Sequence, residues 1–322
     1  MGSRLLKKLD DKLWSSIFGD GGHMKLHPPL RLRVRIFTRL PFQLVSPQCP
    51  ERPVFIVGCP RSGTTLLFNI LSLSSELGSL RQESHWIWEY MHPPKKAPTY
   101  SQVVQASDVS PTMQRYVRAC YGAAFGHRRF VDKSPANSFR VEAIKEIYPD
   151  SLIVCLIRNA PDNISSLVDT WRDDRFEGFE VPEHVDIDGY DGRRWKHVLA
   201  PGWRTYAQKS IEDVCAHQWV SANQHLYDAS QKCSERDFMR VRYEDLFSTP
   251  QKVIVDLSDH IGVDYGGEMA EFASSLRDNV VNTASEPGIG KWKRRNPRRV
   301  ERILPKTEET MAKLGYDLNE YL

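Results

Sequence analysis

Eight residues, Gly58-Cys59-Pro60-Arg61-Ser62-Gly63-Thr64-Thr65, follow the apolar run PVFIVG and precede LLFNIL. A strand, a glycine turn and a helix start in that order aim backbone N–H groups and the positive end of a helix at an anion. The glycine spacing is that of the phosphate loop G-x-x-x-x-G-K-[ST], whose lysine reaches the terminal phosphates. Here Thr64 stands where that lysine would be, and Arg61 is the loop's only fixed cation. The sequence supplies a phosphate cradle without the usual triphosphate clamp.

Other charged residues sit at the ends of apolar runs. DSLIVCLIR ends in Arg158, RRFVD leads into Asp132-Lys133-Ser134, and LRQESHWIWEYMHPP carries Glu83 and His85. In an open parallel sheet the carboxyl ends of the strands meet at the ligand crevice, so these residues are expected around the loop. Ser166 lies eight residues after Arg158. A helix starting near Pro161 turns Ser165 or Ser166 back toward an arginine whose bidentate donors suit a phosphate monoester. Near the C-terminus, GIGKWKRRNPRRVER places Lys291 and Trp292 behind two glycines, a segment able to close over a nucleotide and stack on it, or simply a solvated basic face.

PRSGTT after a strand, Arg158 with Ser166, and the late GIGKWK together resemble the sulfotransferases that use 3'-phosphoadenosine 5'-phosphosulfate (PAPS), from about residue 53 to about residue 295. The resemblance implies that Arg61, Ser62, Gly63, Thr64 and Thr65 bind the 5'-phosphosulfate, that Arg158 and Ser166 bind the 3'-phosphate, and that Lys291 and Trp292 close the nucleotide site. It also implies that no metal is needed, because the donor is not a triphosphate. Arg61 takes the place of a catalytic lysine in that family, and Lys133 matches a second one. Many cytosolic members carry their catalytic histidine just after that lysine, whereas this chain reads DKSP. The segment around Glu83 is similar to the tyrosylprotein and bacterial branches, which implies Glu83 as the base with His85 as its rival. The competing expectation is a kinase-like phosphotransferase using ATP and Mg²⁺, with Asp132 as metal ligand; Thr64 in the lysine position argues against it.

The elements that must position these groups are legible as an alternation. From Pro53 onward short apolar strands alternate with helices, which predicts an α/β fold of three layers, a P-loop-like central parallel sheet flanked by helices. Helices are expected from Thr64, from near Pro161, after Ser210, and from Pro250 to just before Gly262, while DFMRVRYEDL reads as a strand running into a loop. Residues 1–50 read as an extension: a helical pattern, a break at Gly21-Gly22, then a basic stretch whose alternation of arginine with leucine, valine and isoleucine is strand-like. Residues 51–322 form the sulfotransferase-like domain. Within it, about residues 174–206 make an aromatic-rich excursion, either a lid over the acceptor or a hydrophobic cluster of its own.

Composition sets outer bounds. Of 322 residues 40% are apolar and 26% charged, with a net charge of +3, too small to argue for nucleic acid as a partner. The six cysteines lack metal-site spacing, and a reducing, cytoplasmic setting is the simpler expectation. No apolar run approaches the roughly 20 residues of a membrane span. The acceptor is expected among small molecules, carbohydrates and lipids, and nothing in the sequence speaks to oligomeric state.

Overall fold

The six-residue run Leu152–Ile157 is buried along its whole length, the mark of a strand covered on both faces. In the computed structural model, which describes residues 29–176, 178–188, 190–276 and 288–321, it is the fourth strand, β4. The others in the same sheet are β1 (Val54–Val57), β2 (Gly78–Ser79), β3 (Phe130–Lys133) and β7 (Phe238–Arg242). Their order is β2-β3-β1-β4-β7, and every pairing is parallel. The expected three-layer α/β architecture is present.

Alternation along the strands sorts two cores. Phe55, Val57, Ile153, Cys155 and Ile157 face helices α4 (Pro111–Phe125), α5 (Val141–Ile147), α6 (Ala160–Trp171) and α7 (Ile211–Ser230). Val54, Ile56, Val131, Leu152, Val154 and Leu156 face α2 (Thr64–Leu71), α9 (Pro250–Ile261) and α10 (Gly267–Ser274). Register places Ile56 beside Lys133 and Phe55 beside Asp132. Neighbouring residues of a strand point to opposite faces, so Lys133 and Asp132 part company.

The helix starts behave as the sequence predicts. Asn159 and Ser210 cap α6 and α7 with their side chains, Pro250 opens α9, and Gly262 ends it in the left-handed region at φ 68°. After β7 the chain enters a short helix, α8 (Tyr243–Ser248), not the expected loop. α3 (His85–Met91) follows β2, and α11 (Trp292–Arg295), α12 (Pro297–Ile303) and α13 (Glu308–Lys313) close the chain.

Two expectations change. The basic stretch is not a strand but a helix, α1 (Leu30–Val45), whose buried residues Arg33, Ile36, Leu40 and Gln43 recur at helical spacing. Its arginines alternate with apolar residues only over Leu30–Ile36, too short a run to outweigh that face. The excursion is an antiparallel hairpin, β5 (Gly178–Ile187) and β6 (Tyr190–Lys196). Its Phe179, Val181, Val185, Ile187 and Trp195 join the first core beside Trp171 and Trp203. The helical pattern and the double glycine expected before residue 29 lie outside the described residues.

Candidate active site

Gly58 and Gly63 fix the loop between β1 and α2. A Cβ on Gly58 would lie 2.5 Å from the Leu156 carbonyl oxygen and 2.8 Å from Ser62 Oγ. Gly63 takes φ 98° at the start of α2, where a Cβ would lie 2.7 Å from Cδ2 of Tyr243. Among the described residues no side chain caps that helix, which leaves the N–H groups of its first turn turned toward the loop. Ser62 Oγ is buried and lacks a hydrogen-bond partner among the described residues.

Two guanidiniums frame this loop. Arg158 donates through Nη1 to the Arg61 carbonyl at 3.0 Å and through Nη2 to the Gly288 carbonyl at 3.2 Å. Its plane lies over Tyr243, 4.1 Å from the ring centroid, and its Nε is buried without a partner among the described residues. Arg61 donates through Nε to Ser166 Oγ at 3.4 Å and lies over Phe176 at 5.2 Å. Burial, and then the Arg158 charge, bring the Arg61 guanidinium down to about 10. A buried guanidinium whose charge is opposed by a neighbouring cation is poised for an anion. Arg158 and Ser166 therefore meet at Arg61, not directly as the sequence suggested, while Ser165 bonds Asn296.

The late glycine segment is tied to α6, since the Gly290 N–H donates to Asp162 Oδ2 at 2.8 Å. Lys291 runs past Gly288, where a Cβ would lie 2.9 Å from its Cε. Trp292 departs from expectation: its ring is buried with Val300 and Leu304, and the Lys293 ammonium lies 5.4 Å from its centroid. An indole so enclosed is not exposed for stacking on a ligand. Gly288 before it makes the contact to Arg158 instead.

On the second-core face of β3, Lys133 Nζ donates to Glu83 Oε1 at 2.5 Å and to Thr65 Oγ1 at 3.0 Å. The other Glu83 oxygen is 2.6 Å from His85 Nε2. His85 Nδ1 lies 3.4 Å from both Glu89 Oε1 and Ser134 Oγ, and Arg140 and Gln102 bond the same Glu89 oxygen. The result is one chain of charge from Lys133 to Arg140. Burial alone would raise the Glu83 carboxyl, but Lys133 and the His85 hydrogen bond outweigh it and hold it well below the carboxylate range. Burial likewise opposes charge on His85, yet its bonds to Glu83 and Glu89 push it up to about 9. Glu83 is an anion with 18% of its side chain exposed, and His85 is a cation at neutral pH.

Asp132 lies on the opposite face. Its Oδ2 accepts from Ser84 Oγ at 2.8 Å and Asn137 Nδ2 at 2.9 Å. Burial pushes the carboxyl up to about 6 against those bonds. It does not share the face of Lys133.

One residue escaped the sequence reading. His197, just after β6, adopts φ 64°, and its Nε2 lies 2.8 Å from Thr170 Oγ1. Burial, then the charges of Arg61 and Lys196, bring the imidazole down to about 3, with Glu83 acting in the opposite sense. The hairpin thus delivers a neutral imidazole into the field of both Arg61 and Glu83. A non-glycine residue at positive φ often marks such a site, but no residue type betrays it in the sequence.

The profile of the Sulfotransferase family matches residues 53–199 and 193–266. Among curated proteins, the chain is 19% identical over 293 residues to protein-tyrosine sulfotransferase A of Caenorhabditis elegans, covering 83% of this chain and 67% of that one. It is 21% identical over 201 residues to an omega-hydroxy-beta-dihydromenaquinone-9 sulfotransferase of Mycobacterium bovis, covering 59% of this chain and 44% of that one. It thus spans about two thirds of the nematode relative and less than half of the mycobacterial one. Among solved structures, sulfotransferase STF9 of Mycobacterium avium superposes with a TM-score of 0.53 at 12% identity, over 96% of this chain and 97% of that one. The sulfotransferase domain from the curacin biosynthetic pathway gives 0.51 at 18% identity, over 84% and 99%. These two likenesses are of fold.

Proposed function

The chain belongs to the sulfotransferase family, and on that premise we propose that it transfers a sulfuryl group from PAPS to a hydroxyl or amine, with Glu83 as base. The observation that carries the reading is the convergence of Arg61, Arg158, the buried Ser62 hydroxyl and the uncapped start of α2 beside the Lys133–Glu83 pair. The donor's phosphates suit the first group, and its reacting end belongs where Lys133 bridges Glu83 to Thr65.

In the transfer, the acceptor oxygen forms a bond to sulfur as the bond from sulfur to the bridging oxygen of the 5'-phosphate breaks. The hydroxyl proton passes to Glu83, and the electron pair of the broken bond leaves on the phosphate. Arg61 and Lys133 face the charge that grows there, the kind of stabilisation that is usually the largest single contribution. His85, protonated and held between two carboxylates, is unsuited to take that proton and serves to hold Glu83. In the resting arrangement Lys133 makes Glu83 a weak base. Turning the ammonium toward a bound anion removes that restraint and raises the basicity of Glu83 when it is needed.

The phosphotransferase reading requires Asp132 at the loop, and its carboxyl is engaged with Ser84 and Asn137 on the other face. The nematode and mycobacterial relatives are a protein-tyrosine sulfotransferase and a sulfotransferase of a menaquinone derivative, and we take the acceptor of this chain to be a hydroxyl or amine presented by a small molecule, glycan or lipid. His197 is the hairpin residue proposed to line its path.

Calorimetric titration with 3'-phosphoadenosine 5'-phosphate, against ATP with Mg²⁺, tests the donor. Metal-independent binding of the bisphosphate that weakens at least tenfold in Arg158→Ala is the expected result. Binding of ATP with Mg²⁺ alone would overturn the reading.

A further inference from the structure

α1 carries three faces. Ile36, Leu40 and Gln43 are buried against the body of the protein. Leu30, Val34, Pro41 and Val45 share a second stripe, i, i+4, i+11 and i+15, and it is turned outward: Leu30 is 58% exposed, Val34 52% and Val45 82%. Arg31, Arg35 and Arg39 form a third, one turn apart, with Phe42, 76% exposed, prolonging it. Exposed apolar residues scattered singly are ordinary. Two apolar pairs on one outward side of a helix, interrupted only by Thr38, beside a row of cations are not.

Charge identifies the occupant. Between Asp20 and Glu51 the chain contains no acidic residue but has Lys25, Arg31, Arg33, Arg35 and Arg39. No carboxylate among the described residues pairs with Arg31, Arg35 or Arg39, although Arg35 donates through Nη1 to the Ala124 carbonyl at 3.3 Å and presents only its remaining N–H groups outward. An apolar stripe flanked by arginines is the pattern of a helix lying in the plane of a bilayer, side chains in the acyl boundary and cations at anionic headgroups. A partner protein that wraps a basic amphipathic helix would need all of its apolar surface, and α1 already commits one face to α4. A flat, anionic, partly apolar surface is what remains accessible.

We propose that the outer face of α1 docks the protein on anionic phospholipid bilayers, with Leu30, Val34, Phe42 and Val45 inserted and Arg31, Arg35 and Arg39 at the headgroups. The inference is independent of the reaction at the loop. Each basic residue near such a surface contributes roughly a fivefold gain in partitioning, and the electrostatic share fades beyond a Debye length of about 8 Å at physiological salt.

The test is co-sedimentation of the full chain with vesicles of phosphatidylcholine alone and of phosphatidylcholine with phosphatidylserine. Binding to the mixed vesicles at least tenfold tighter than to phosphatidylcholine, and weakened by salt, is expected. Arg31→Glu with Arg39→Glu should lose most of it, and Phe42→Asp with Val45→Asp should abolish it while 3'-phosphoadenosine 5'-phosphate binding is retained. Equal binding by the aspartate variant would assign the membrane contact to another segment and overturn the proposal. So would absence of binding to mixed vesicles, or a dimer in sedimentation velocity that the aspartate variant dissolves, which would make a second copy the occupant.

Discussion

Arg158 donates a hydrogen bond to the backbone carbonyl of Arg61, and the charge of Arg158 depresses the Arg61 guanidinium it helps to position. The contact orders the loop, while the like charges oppose one another until an anion arrives. Charge-assisted hydrogen bonds are worth about 1.5–3 kcal/mol each. Arg158→Ala should therefore weaken bisphosphate binding roughly 10- to 100-fold. The melting temperature without ligand should change little by comparison, and the ligand-induced rise in melting temperature at a fixed ligand concentration should shrink. A variant that retains the ligand-induced rise in full would remove Arg158 from the phosphate site.

Glu83→Gln keeps the shape of the side chain and removes its capacity to hold a proton. Turnover should fall by roughly 10²–10⁴, with bisphosphate affinity within a few-fold of the parent. Single-turnover measurements separate the two. A fall in affinity with turnover intact would make Glu83 a binding group.

The pH dependence should bear the mark of His85, whose bonds to Glu83 and Glu89 push it up to about 9. A histidine whose pKa rises on folding adds stability that is fully present below its unfolded value of 6.5 and is lost as pH climbs through about 9. Thermal melts of the parent, compared with His85→Gln, should show that loss over the same interval. The kcat/KM profile should carry an alkaline limb near 9 in the parent and lose it in the variant. An identical limb in both proteins would assign it elsewhere.

Asp132 moves the other way. Its folded value of about 6 exceeds the ordinary 3.8, so the native state holds the proton more tightly and stability falls as pH rises between the two. Asp132→Asn should flatten that slope and be at least as stable as the parent at pH 7, with bisphosphate binding unchanged. If the substitution abolished nucleotide binding, the phosphotransferase reading would regain its ground.

Arg158 was legible because a long apolar run announces a buried strand and the first polar residue after it lies at the crevice, and Lys133 as part of the Asp132-Lys133-Ser134 end of the shorter run RRFV. Glu83 was legible only through the family likeness, since β2 ahead of it is two residues long and carries no periodicity. The hairpin was hidden because a register irregularity between Glu180 and Val185 breaks the alternation of its inward residues. α1 misled because arginines placed every second residue imitate a strand, while the face that packs is marked by Ile36, Leu40 and a buried Gln43. Trp292 misled for another reason: an indole beside a glycine turn suits a ligand or a core equally well, and Val300 and Leu304 eight and twelve residues later supply the core.

The ring of Tyr243 lies close to Gly63 and carries the Arg158 guanidinium over its face. Tyr243 follows the last strand of the sheet, far along the chain from the loop it supports. During synthesis the loop emerges early but lacks its backing until β7 has left the ribosome and docked beside β4. A nascent or truncated chain ending before that strand would hold the phosphate-binding sequence without its geometry. A nucleotide bound at this loop would thus be a ligand of the finished fold alone, and its binding would protect the sheet's far edge from opening, by mass action.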